Sequence, residues 1–325
     1  MSRRRILKTA YLMIATLIIM VFTGGNAIGA RSWNYNIKLM TGTMGGVWYP
    51  TGGAMAEFLQ KDIPGLTMTV MPGAGISNIE AMESGRSLIA FGKACTTWQA
   101  LRGEPPFKQK ASKVRNVMYL YDESFHFIVR ADSGIEKVED LKGKVLTTLQ
   151  KGNTGEQMAA DVLKVHGLSY KDMARVHFGS YNDSVELMKD GHADAWMFGT
   201  AVPASAVMDL AATRKIKWIS LSDEKLKELN HLNEGYVPQV VEPGAYEFQT
   251  YPVKTFGTAT HLMASADLPA DFVYEVTKSL ARNLSKLGDV HALYKPLTPA
   301  LMAKNVGVPF HEGALKYYKE IGVIK

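Results

Sequence analysis

The sequence predicts an α/β fold of two lobes with a ligand cleft between them, and three observations carry that expectation. The chain has 325 residues, too many for one small core and suited to two domains. Beyond residue 30, apolar runs of strand length alternate with helical patterns, the mark of parallel sheets with crossover helices. Three times a run of this kind feeds a glycine-studded turn that opens into a helix.

The first thirty residues stand apart. Arg3, Arg4, Arg5 and Lys8 form a basic head, residues 10–22 are apolar but short for a bilayer span, and residues 24–30 are small. This predicts an export signal over 1–30, with the mature chain starting near residue 28 to 31. Residues 2–8 resemble the twin-arginine signal, with Ile6 where Phe is usual, and a general secretory signal or an uncleaved anchor are the other readings. Removing 1–30 takes away four positive charges and no acidic ones, so the net charge falls from +6 to +2 and gives no reason to expect a nucleic-acid partner. Cys95 is the only cysteine, which excludes an intramolecular disulfide and a thiolate metal cluster.

The first lobe is read as a strand over 37–40, a helix including 54–59 closed by Pro64-Gly65, a strand over 66–71, the turn Pro72-Gly73-Ala74-Gly75, a short helix over 77–82, and a strand over 88–91. A linker-like passage with Gly103 and Pro105-Pro106 precedes a strand over 125–129. The rhythm then restarts: strand 145–149, turn Lys151-Gly152-Asn153-Thr154-Gly155, helix 157–165, strand 175–178, helix 184–189 and strand 195–198. An extended segment over 254–263 leads back to the first lobe, followed by one helix over 271–288 and another over 314–320. The expected division is 31–126 plus 255–325 for lobe I and 127–254 for lobe II.

Strand-to-helix turns leave backbone N–H groups unpaired and converging, which attracts an anion. The segment Thr41-Gly42-Thr43-Met44-Gly45-Gly46-Val47-Trp48-Tyr49-Pro50 is the foremost candidate, with Trp48 and Tyr49 as amphipathic rings beside the glycines. A plain tight turn, with Trp48 as core, is the competing reading. Ser77 and Asn78 at the next helix start, and Asn153 and Thr154 in the other lobe, are either ligand contacts or helix caps. Lys93, at a strand end, is either a carboxylate partner in the cleft or a surface lysine. No G-x-S-x-G, Walker lysine, H-E-x-x-H or dinucleotide G-x-G-x-x-G motif is present, and no pair among the eight histidines has metal-ligand spacing on a predicted helix. No catalytic group, metal or cofactor is expected, and His126, His192 and His261 are read as structural.

The segment from Thr41 to Pro50 resembles the opening T-G-x-x-G-G-x-Y-Y-P motif of the TAXI family, the solute receptors of tripartite ATP-independent periplasmic (TRAP) transporters. Gly75-Ile76-Ser77-Asn78-Ile79, Asp190-Gly191-His192-Ala193-Asp194-Ala195, Ala266-Asp267-Leu268-Pro269 and His311-Glu312-Gly313-Ala314 are similar to its later segments. The resemblance implies a two-lobed periplasmic-binding-protein fold, type II-like, closing on a small organic acid such as glutamate or 2-oxoglutarate and delivering it to a TRAP membrane permease. By position it implies contacts from Thr43, Gly45, Trp48, Tyr49, Ser77, Asn78, Asn153 and Thr154. The chain departs from the family where Gln-Ser-Asp becomes Lys93-Ala94-Cys95, where Gly-Ser-Gly-Thr becomes Gly152-Asn153-Thr154-Gly155, and where Gly-Tyr-Pro becomes Ala201-Val202-Pro203. Lys93 in that place predicts an anionic ligand over a neutral amino acid. The alternatives are a periplasmic hydrolase or transferase on an acidic or phosphorylated substrate, using Cys95, Ser77 or Asp194, and a binding module that feeds a membrane sensor kinase.

Overall fold

Alternation along β1 (Tyr35–Met40) places Ile37 and Leu39 inward and Asn36 and Lys38 outward, the pattern of a strand with one covered face. The computed structural model to which β1 belongs describes residues 33–43 and 45–325; the expected export segment and Met44 lie outside the described residues. β2 (Leu66–Met71) and β3 (Ile89–Lys93) flank β1, both parallel to it. The crossovers are α1 (Trp48–Asp62) and α2 (Gly75–Glu83), and α3 (Ala94–Arg102) starts directly after β3.

Two long strands bind the halves together. β4 (Val114–Arg130) has 17 residues. The second half then supplies β5 (Val145–Leu149), α4 (Thr154–Val165), β6 (Arg175–Gly179), α5 (Tyr181–Lys189), β7 (Ala195–Thr200), α6 (Ser205–Thr213), β8 (Ile216–Trp218), α7 (Asp223–Leu232) and β9 (Val237–Val241). β10 (Val253–Ser265) returns antiparallel to both β3 and β4, and α8 (Ala270–Arg282), α9 (Leu284–Val290), α10 (Pro299–Met302) and α11 (Glu312–Glu320) close the chain. Among the described residues the sheet has ten strands, with the main order β2-β1-β3-β10-β4-β7-β5-β6.

The apolar residues form separate cores at the two ends of this sheet. Ile37 and Leu39 pack with Met55 and Phe58 of α1 and with Val276 and Leu280 of α8. At the other end Phe125, Phe127 and Leu146 meet Met158 and Val162 of α4, while Ile128, Trp196 and Phe198 on the opposite face meet Leu210 and Trp218. Each such side chain contributes about 1.5–3 kcal/mol by leaving water. This is the two-lobed architecture, with β4 and β10 passing between the lobes.

Two elements differ from expectation for reasons of long-range contact. β4 begins at Val114, eleven positions before the apolar run, because buried Asn116 and Glu123 interrupt the pattern while finding partners in His261 and Lys93. The helix expected over 271–288 is two helices. They part at Asn283, whose amide donates to Asp62 Oδ2 at 2.9 Å and to Ser279 O at 2.8 Å.

His126 and His261 are fully buried. His126 stacks between Phe198 and Trp218 at 4.8 and 4.1 Å, donates from Nδ1 to Ser124 O and receives the Tyr246 hydroxyl at Nε2. Burial pushes both imidazoles down to about 3. Unfolding frees each to protonate near its ordinary value, so the unfolded chain takes up more protons and stability falls as pH drops below about 6.5. The loss should reach roughly 2 kcal/mol per histidine at pH 5. Denaturant titrations at pH 7 and pH 5 check this, and equal midpoints would refute it.

Candidate functional site

The strand-to-helix turns at the ends of β1, β2, β3 and β5 meet where the two cores face each other. In the first turn Gly46 N–H donates to Thr43 O at 3.1 Å, which bends the chain into α1 and buries Trp48. The indole N–H donates to the Tyr121 hydroxyl at 3.0 Å and its ring lies 5.4 Å from Phe91, so Trp48 is both core and cleft wall. In the second turn Asn78 accepts from Ala74 N–H at 3.1 Å and donates to Thr41 O at 2.7 Å and Phe91 O at 2.9 Å. One amide thereby ties three strand ends together.

In the other lobe Gly152 has φ +85°, and a Cβ there would stand 2.7 Å from Ser77 Oγ, so both backbone conformation and space demand glycine. Asn153 caps α4 by accepting from Gly155 N–H at 2.8 Å, and its amide donates across the cleft to Thr43 Oγ1 at 3.1 Å. It does both of the things its type allows. The Gly152 carbonyl in turn accepts from Ile76 N–H at 3.2 Å, Ser77 N–H at 3.3 Å and Ser77 Oγ at 3.4 Å. The amides expected to await an anion at the second turn are thus taken by a carbonyl of the facing lobe, because the lobes meet there.

Thr43, Trp48, Lys93, Asn153 and Thr154 line one cavity, together with Tyr121, Tyr181 and Thr200, which the sequence reading did not single out. Its free space is about 30 Å³. That is one or two waters, so a solute enters only if the lobes part. Gly45, Tyr49, Ser77 and Asn78 are not in this wall: Gly45 is exposed against Asn182, Tyr49 is half-buried, Ser77 holds Gly152, and Asn78 is spent on the strand ends.

Lys93 stands at the end of β3 in the cavity wall, its ammonium 4.6 Å from the Trp48 ring centre and 3.1 Å from Thr260 Oγ1. It is not an unpaired charge awaiting a ligand. It pairs with Glu123 of β4, a residue inside the stretch read as a linker. Burial pushes Lys93 below its ordinary value and Glu123 above its own, each opposed by the partner's charge. The acidic pair Asp122-Glu123 between the apolar stretches of β4 is the sequence signal, and the structure turns Asp122 outward and buries Glu123; its partner lies 30 positions away.

The groups an enzyme reading would use are engaged elsewhere. Cys95 is fully buried and its thiol is pushed up to about 12, chiefly by burial. Asp194 accepts from Val145 N–H at 2.9 Å and pairs with Arg130 at 3.4 Å. No group of three or more His, Cys, Asp or Glu suited to a metal occurs among the described residues.

Residues 39–322 match the NMT1-like family. The chain belongs to the NMT1-like family. Solved structures with the same architecture include PhnD1 from Prochlorococcus marinus (MIT 9301) in complex with methylphosphonate, at 12% identity and TM-score 0.54, covering 89% of this NMT1-like chain and 99% of that chain. The periplasmic binding protein BugD shares 12% identity at TM-score 0.52, covering 80% and 86% of the two chains. A further structure, described as a periplasmic transporter, shares 13% at TM-score 0.53, covering 88% and 92%. At these identities the likeness is one of fold, and the fold of this NMT1-like protein is the two-lobed periplasmic-binding-protein fold.

Proposed function

We propose that this protein is the extracytoplasmic solute receptor of a TRAP transporter, in the TAXI group, capturing a small mono- or dicarboxylate and delivering it to the membrane permease. The observation that carries this reading is the cavity at the meeting of four strand-to-helix turns, bonded from lobe to lobe across it, with the Lys93 ammonium in its wall. Such a site encloses a solute by motion of the lobes about β4 and β10 and offers it hydrogen bonds and charge without a nucleophile or general base. The basic, apolar and small-residue order of positions 1–30 fits export to the periplasm, and no helix among the described residues is long and apolar enough to cross a membrane. The permease supplies the ion coupling in this reading.

A melting screen of the mature chain over C3 to C6 carboxylates and amino acids tests it. Ligand at one hundred times its dissociation constant should stabilise the fold by about 2.7 kcal/mol. Stabilisation by uncharged solutes alone, with every carboxylate silent, would overturn the carboxylate assignment.

A further inference from the structure

Glu123 presents a problem that a simple carboxylate ligand does not solve. If the solute carboxylate takes the Lys93 ammonium inside the closed cleft, Glu123 loses the partner that compensates its burial. One of its oxygens, Oε1, already has no hydrogen-bond partner among the described residues, although the residue is fully buried. That oxygen lies against the bare α-carbon of Gly199, a residue of the cavity wall, where a Cβ would stand 3.1 Å from it.

The titratable groups around the pair supply no second cation. Cys95 of α3 carries a thiol pushed up to about 12; Tyr121 on the same strand, Tyr181 of α5 and Tyr236 before β9 are phenols raised by burial; His261 on β10 is neutral, pushed down to about 3. Lys93 is the cation that faces Glu123, so a donor that satisfies the carboxylate in the loaded cleft has to come with the ligand.

We propose that Glu123 is the second recognition group of this cleft and that the solute carries a hydrogen-bond donor, an ammonium or a hydroxyl, on the carbon beside the carboxylate that Lys93 holds. This rests on the carboxylate-receptor reading above and narrows it to 2-amino and 2-hydroxy acids over 2-oxo acids. A 2-amino acid exchanges one internal ion pair for two pairs with the ligand, leaving the charge of the site balanced. A 2-oxo acid presents only acceptors to Glu123, which then takes a proton from solvent to stay buried.

The test is calorimetric titration of the mature chain with two matched sets, glutamate, 2-hydroxyglutarate and 2-oxoglutarate, and alanine, lactate and pyruvate, in two buffers of different ionisation enthalpy. Within a set that binds, the amino or hydroxy acid should bind at least tenfold tighter than the oxo acid, and oxo-acid binding should draw about one proton per site from the buffer. Glu123→Gln should shrink the preference below threefold and abolish the proton uptake. If that variant does not fold, the proton count on the unaltered protein decides. Oxo acids binding within threefold of their partners, or without proton uptake, would overturn the role of Glu123 and leave the carboxylate receptor standing. Silence of all six acids at millimolar concentration would overturn the 2-amino and 2-hydroxy acid assignment, and silence of every carboxylate in the melting screen would overturn both readings.

Discussion

Replacing Gly75 with valine is expected to weaken solute binding about 100-fold while leaving the fold intact. Gly75 is the first residue of α2 and sits against the facing lobe: a Cβ on it would overlap Thr154 Oγ1 and stand 3.2 Å from Thr154 Cβ. Its φ lies outside the left-handed region, so valine meets no backbone strain and the whole penalty falls on the approach of the lobes. Propping them apart breaks the Ile76 and Ser77 hydrogen bonds to Gly152 O and the Asn153 bond to Thr43. At about 1 kcal/mol each these bonds amount to roughly 3 kcal/mol, a little over two orders of magnitude in affinity. Calorimetry measures the affinity, and X-ray scattering should show a variant that no longer contracts with ligand. Gly53→Ala is the control, since nothing lies within 4 Å of a Cβ there, and its affinity should equal that of the unaltered protein. Full affinity in Gly75→Val would mean that the bound state does not bring α2 and α4 together.

Lys93→Met should destabilise the protein by about 3–5 kcal/mol at neutral pH, because it strands the buried Glu123 carboxylate. The melting temperature should fall on the order of 10 °C. The sign of the pH effect follows from the direction of the Glu123 shift, which is upward even with Lys93 present. A carboxyl with a folded value above its unfolded one keeps its proton longer in the folded chain, so its penalty is absent below the unfolded value of 4.5, grows as pH rises from there towards the folded value, and levels off above it. The difference between variant and parent should therefore shrink from pH 7.5 to pH 5. Pairing Lys93→Met with Glu123→Gln removes both charges and should restore most of the stability. A destabilisation independent of pH, or a double variant no better than the single one, would show that packing around Lys93, and not its charge, sets the cost.

The elements that position the cleft were legible where their signals are local. β1, β2 and β5 are short apolar runs followed by Gly42, Gly73 or Gly152, β3 is an apolar run ending at Lys93, and the helix after β5 starts on the capping residue Asn153. Thr43, Trp48, Lys93, Asn153 and Thr154 were identifiable for the same reason, as polar or aromatic residues at a strand end or in the turn and helix start that follow it. Ser77 and Asn78 have the same local signature and a different fate. Ser77 meets the carbonyl of the other lobe, and Asn78 turns inward to Thr41 and Phe91. Tyr121 had no turn signal, since it lies within a long strand; Tyr181 opens a helix just past Gly179 and the Ser180 cap, the same local signature, and the sequence reading did not single it out.

The amino-acid order by itself determined the alternation of strands and helices, the glycine turns at strand ends, and which side chains stand near them, because these depend on neighbours within a few residues. Only the tertiary structure decided what those groups are bonded to. Lys93 met Glu123 across 30 positions, Asn153 met Thr43 across 110, and the Gly152 carbonyl took the amides of a turn in the opposite lobe. Burial then shifted the proton affinities, raising the value of Glu123 and lowering that of Lys93. Desolvation and pairing are properties of the space a residue ends in, and that space is assembled from segments far apart in the chain.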